Sequence, residues 1–132
     1  MSTNGERWTI RVTSEVRAWL RELNTAQPST YRDVNAAIDL LAEIGPALGR
    51  PLVDTLHGSD VHNLKELRPR SGREMALRIL FAFDPWSQAI LLTAGNKAGN
   101  WSAWYTEAIP VAEKAYAAWL IAEAQRRKET DR

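Results

Sequence analysis

The stretch from Leu64 to Lys97, LKELRPRSGREMALRILFAFDPWSQAILLTAGNK, constrains this chain more than any other part of it. It holds three short apolar runs separated by turn signals, which predicts three strands of one sheet. The first strand is expected from Asn63 to Arg68, followed by a turn at Pro69-Arg70-Ser71-Gly72. The second runs from Met75 to Asp84 and stops at Asp84-Pro85; the third runs from Ala89 to Ala94, before Gly95 and Gly99. The second is apolar on both faces, as a central strand has to be. Leu77, Ile79, Phe81 and Phe83 point one way, and Ala76, Arg78, Leu80 and Ala82 the other. The bulky row is expected to meet helices. The smaller row is expected to leave a shallow hollow with Arg78 in its middle.

Cations gather at the start of this stretch. Lys65, Arg68, Arg70, Arg73 and Arg78 stand against two acids, Glu66 and Glu74. The whole chain carries a formal charge of only +1, so any grip on a polyanion must be local. Its 132 residues suit one domain, 1–132, with a single core. There is no cysteine, which removes disulfides and thiolate chemistry and suits a reducing cytoplasm. The opening MSTNGER is polar and no apolar run approaches the ~20 residues of a membrane span, so neither a signal peptide nor a membrane partner is expected. Six tryptophans are read first as packing residues and second as stacking surfaces for bases.

The flanking segments predict the rest of an α+β domain. Trp8 to Val12 alternates as a half-buried strand. Ser14 reads as an N-cap, and Val16, Trp19, Leu20 and Leu23 follow at helical spacing until Pro28. Thr30-x-x-Asp33 resembles a capping box for a second helix, whose stripe is Tyr31, Val34, Ile38 and Leu41 and whose end is Gly45-Pro46. The two helices form a hairpin over the sheet. PLVDTL, after Arg50, reads as an irregular linker or short turn. The C-terminal part reads as a short helix carrying Trp101, Trp104 and Tyr105, then a new helix opened by Pro110 and packed through Tyr116, Trp119 and Leu120. Arg126-Arg127-Lys128 reads as a solvated tail that also suits the helix dipole.

Taken in order, these segments resemble the RelE/ParE superfamily of bacterial toxins, and within it the phage-derived host-inhibition proteins that include the HigB-type toxins. The resemblance runs from Trp8 to Trp119. It is carried by EVRAWLREL, by the LLAEIG ending together with LGRPLVDTLHGS, by KELRP, by RILFAFD and by GNKAGNW; the ordered set carries it rather than any one piece. It implies a small twisted, mostly antiparallel sheet of about four strands, with an N-terminal helix hairpin on one face and a C-terminal helix. It implies the toxin of a type II toxin–antitoxin system, neutralised by a cognate antitoxin of helix-turn-helix type. It also implies a metal-independent endoribonuclease that cuts messenger RNA on the ribosome, with no cofactor.

Such cleavage needs charge stabilisation at the phosphate and proton transfer at the 2′- and 5′-oxygens. The resemblance assigns Arg68, Arg78, Lys97 and Tyr105 to catalysis. Arginine suits phosphate because its fork matches two oxygens. Lys65, Arg70, Arg73 and Trp101 are assigned to gripping the substrate. The chain departs from the family pattern at GNKAG, which has fewer cations than RelE-like toxins carry there, and at GNWSAW before Tyr105. Each residue has a plain structural alternative: Arg78 as a cross-strand partner of Glu66, Arg68 as an edge-strand charge, Lys97 as an exposed turn lysine, Tyr105 as a packing residue. His57 and His62 match no ligand spacing and fall in a loop, so no metal site is assigned. Two alternatives of another class remain: a ParE-like inhibitor of DNA gyrase without nuclease activity, and a non-toxic phage-derived interaction module. The nuclease reading falls if Arg78 is sealed beneath the helices with no open cationic neighbours around it.

Overall fold

A computed structural model describes residues 7–61, 63–70 and 75–130. Five strands form one sheet: β1 (Thr9–Val12), β2 (Val53–Thr55), β3 (Lys65–Leu67), β4 (Leu77–Phe83) and β5 (Gln88–Asn96). Three helices accompany it: α1 (Ser14–Ala26), α2 (Pro28–Ile44) and α3 (Trp101–Thr130). The strand order is β1-β5-β4-β3-β2. Neighbours are antiparallel except β1, which runs parallel to β5. The expected α+β architecture is therefore present, with five strands rather than four. The extra strand, β2, lies inside PLVDTL, which is an edge strand and not an irregular linker. Three residues at an edge carry too little alternation to be read as a strand, and only their pairing with Lys65–Leu67 makes one of them.

The helix hairpin forms as its apolar spacing dictates, with different caps. Thr13, not Ser14, is the N-cap of α1: its Oγ1 accepts the Val16 amide hydrogen at 3.3 Å. α2 begins at Pro28, two residues before the supposed capping box, because proline fits a first helical position that needs no amide hydrogen. It ends at Gly45, whose φ of 73° suits glycine and whose missing side chain leaves room for the Trp8 indole. Val16, Val34, Ala37 and Leu41 from the hairpin meet Leu67, Leu77, Ile79, Phe81 and Leu91 of the sheet. Each fully buried Leu or Ile there contributes on the order of 1.5–3 kcal/mol.

The other face is not a hollow. α3 lies across it and buries Ala108 and Ala112 against Leu64, Leu80, Ala82, Ile90 and Leu92. The reason is the same two-sided apolarity that made β4 central: both faces have to be covered. α3 is also one helix rather than two, with Pro110 inside it. Pro110 is exposed while Ala108 and Ala112 beside it are buried, so packing carries the helix through a position that cannot donate a hydrogen bond. A bulge in β5 leaves Leu92 without an opposite residue, since Leu80 pairs with Thr93 and Phe81 with Leu91.

The C-terminal half of α3 is fastened by a polar network. Asp84 accepts hydrogen bonds from the Trp119 indole and the Gln88 side chain, both at 2.9 Å. Buried Glu123 accepts from Arg126 at 2.7 Å and from Arg127 at 3.0 Å. Arg126 and Arg127 thus remain partly solvated but pair with a buried carboxylate. Among the described residues, no helix is long and apolar enough to cross a membrane.

Candidate functional site

The strand period decides what reaches the α3 side of the sheet. In β3 and its exit, Leu64, Glu66 and Arg68 share one face, and Leu64 packs under α3. In β4, Arg78 and Leu80 share that face. Glu66 pairs directly with Leu80, which sets Arg78 diagonal to it across the two strands. The turn after β5 supplies Lys97, fixed by its own amide to Ala76 O at 3.0 Å and by Asn96, whose side chain accepts from the Ala76 and Ala98 amides. The first turn and a half of α3 supplies Trp101 and Tyr105.

These groups converge on Glu66, which is 2 % exposed. Its Oε2 accepts from Arg68 Nε at 2.9 Å and lies 2.8 Å from Arg68 Nη2. Its Oε1 accepts from the Tyr105 hydroxyl at 2.5 Å. Arg78 Nε stands 3.7 Å from the same oxygen, too far for a hydrogen bond, and is a buried donor without a partner; Arg78 Nη1 donates to Leu77 O at 2.8 Å. Lys97 Nζ donates to the Tyr105 oxygen at 3.0 Å and lies 4.0 Å from the centre of the Trp101 ring. Behind Arg68, Asp54 of β2 accepts a hydrogen bond from the same Nη2 at 3.0 Å.

Arg68, Arg78, Lys97 and Tyr105, distant in sequence, are thus one cluster, and the centre they share is a residue the sequence offered only as a counter-charge. A signal for Glu66 was present: an acid at the alternate position to buried Leu64 must point to the same covered face. Lys97 is 5 % exposed, not an exposed turn lysine. The Arg78 side chain is 14 % exposed and does not stand in an open hollow, because α3 covers it. Its openness falls instead to Arg68, at 32 %, and to Trp101, at 59 %.

The substrate-gripping set is divided. Arg70 is exposed beside the cluster's β3 exit. Lys65 lies on the opposite face, level with Phe81, and its Nζ donates to Thr55 Oγ1 at 3.2 Å. Arg73 lies outside the described residues, as does His62. His57 is exposed, and no group of three metal-binding side chains exists among the described residues.

Burial and two cations shape the proton chemistry. Lys97 has its pKa lowered, first by burial and then by the positive charge of Arg78. Tyr105 is pushed up to about 12, first by burial and then by its hydrogen bond to Glu66. At neutral pH the tyrosine is a proton donor and the lysine is the group closer to giving up its charge.

Comparison with known proteins bears on this cluster. A profile of the family described as phage-derived protein Gp49-like matches residues 18–117, which include Glu66, Arg68, Arg78, Lys97 and Tyr105. The chain is 53 % identical over 113 residues to "Putative toxin HigB2" of Mycobacterium tuberculosis, covering 86 % of this chain and 54 % of that protein. It is 49 % identical over 109 residues to "Putative toxin HigB3" of the same organism, covering 83 % of this chain and 90 % of that protein. The chain therefore spans about half the length of the first relative and nearly all of the second. No solved structure matches it.

Proposed function

The chain belongs to the phage-derived Gp49-like family, and on that premise we propose that it is the toxin of a toxin–antitoxin pair, a cytoplasmic endoribonuclease that cuts messenger RNA without a metal and is neutralised by its own antitoxin. One observation carries this reading: two guanidiniums, an ammonium and a phenol meet at one point, beside an exposed indole. Arg68 and Arg78 supply charge to a phosphate with extra negative charge. Lys97 in its neutral form takes the 2′-hydroxyl proton as the 2′-oxygen bonds to phosphorus. Tyr105 gives its proton to the 5′-oxygen as that bond breaks. The 3.0 Å contact then returns the proton from Lys97 to the Tyr105 oxygen. Trp101 offers a face on which a neighbouring base stacks. The names of the two tuberculosis relatives support the toxin role.

A second reading has its own observation. Lys97 is buried and Glu66 already occupies the place between the arginines where an anion would sit. A protein that acts by binding a target such as DNA gyrase needs no open anion site. Induction of the chain alone in bacteria, with mapping of RNA ends, separates the two. The nuclease reading expects growth arrest with new transcript ends, both relieved by Arg78→Ala in a protein that stays folded. Arrest with DNA-damage signalling and intact transcripts selects the other. Arg78→Ala protein cutting at full rate would remove the mechanism.

A further inference from the structure

We propose that Glu66 is a positioning residue of this site: its carboxylate aims the Tyr105 hydroxyl and the Arg68 and Arg78 guanidiniums, and it keeps the tyrosine in its proton-bearing form. The chemistry this serves rests on the nuclease reading; the geometry does not.

A carboxylate only accepts hydrogen bonds, and an ammonium only donates them. The order of the chain is therefore fixed. Lys97 donates to the Tyr105 oxygen, and the Tyr105 hydrogen points at Glu66. Glu66 is held to this face by its place in the middle of β3, paired on both sides, and its side chain is buried. The fork of Arg68 holds one of its oxygens, leaving the other for the tyrosine. Arg78 Nε, buried and without a hydrogen-bond partner, faces that second oxygen at 3.7 Å as an ion pair. Removing the charge of Glu66 while keeping its shape would weaken its hold on both guanidiniums. It would also free the phenol to ionise among three cations.

The charged groups facing Tyr105 are Glu66 and Arg68 from β3 and its exit, Arg78 from β4 and Lys97 from the turn after β5. Three of the four are cations and favour the phenolate. Burial opposes it first, and Glu66 is the one charged group that adds to that opposition.

The test is Glu66→Gln in the full chain, with tyrosine ring carbons labelled for NMR and Tyr105 assigned by its loss in Tyr105→Phe. In the wild type, Tyr105 should remain protonated up to about pH 11, beyond the ordinary tyrosine range. In Glu66→Gln its midpoint should fall from about 12 toward the ordinary tyrosine value. The alkaline limb of the RNA-cleavage profile should move the same way. Glu66→Asp, which keeps the charge but withdraws it by one methylene, should fall between the two and covers the case in which glutamine does not fold. A Tyr105 that titrates at the ordinary value in the wild type, or identically in all three proteins, overturns the proposal. If the wild type cuts no RNA, the nuclease reading falls while the NMR titration still decides the role of Glu66.

Discussion

The Trp104 indole occupies the space that a side chain on Gly95 would need: a β-carbon there would stand 2.6 Å from its Nε1. This is how the start of α3 comes down onto the end of β5, and Tyr105 is the next residue along. Gly95→Ala therefore forces the helix outward or the indole aside. Such overpacking costs about 1–3 kcal/mol. A lowered melting temperature by several degrees is expected, together with a weaker Tyr105–Glu66 contact and reduced cleavage. A variant melting with the wild type would show that the helix start is not held by this approach.

Trp101 gives the opposite pattern. It is exposed and touches the cluster only through its contact with Lys97. Trp101→Ala should change stability by less than about 0.5 kcal/mol. Loss of a stacking surface for one base should weaken RNA binding by about 1–3 kcal/mol, or roughly 5- to 150-fold. Unfolding curves and single-stranded RNA titrations measured together check both. Equal RNA affinity would assign the indole to shielding Lys97 alone.

Arg68 is the most open cation of the cluster and the one with forked geometry on Glu66. Arg68→Lys keeps the charge and loses the fork. A loss of about 10- to 100-fold in cleavage rate is expected, with the fold retained, since Arg78 and Tyr105 still face Glu66. Growth arrest undiminished by Arg68→Lys would show that no bidentate phosphate contact is made there.

The strands and the hairpin were legible because their apolar patterns are strong: Leu77 to Phe83 is a short apolar run bounded by turn signals, and Val16 to Leu23 repeats at helical spacing. The members of the cluster were legible too, as residue types in an ordered resemblance. What the sequence hid was depth. Nothing local says that Arg78 and Lys97 lie beneath α3, because the helix that covers them is set by the apolar face of a strand more than twenty residues earlier. β2 was hidden for a similar reason, since a three-residue edge strand exists only through its partner. Glu66 was visible only to the alternation rule, which places it level with buried Leu64.

Glu123 carries a pH prediction. Its hydrogen bond to Arg126 and then that to Arg127 hold its pKa at about 2, against an ordinary 4.5. A carboxylate with a depressed folded pKa stabilises the fold above its unfolded value and loses that contribution as pH falls through the folded one. The window here runs from about 4.5 down to about 2. Glu123→Gln keeps the shape without the charge. Its urea midpoint should lie below that of the wild type near neutral pH. On acidification the gap between the two should narrow, because the wild-type side chain becomes neutral as well. Glu123 sits on the part of α3 fastened through Asp84 and Trp119, so the C-terminal turns should loosen first, read as faster amide exchange there. A gap that stays constant down to about pH 2 would mean that packing, and not the two arginine pairs, holds this end of the helix.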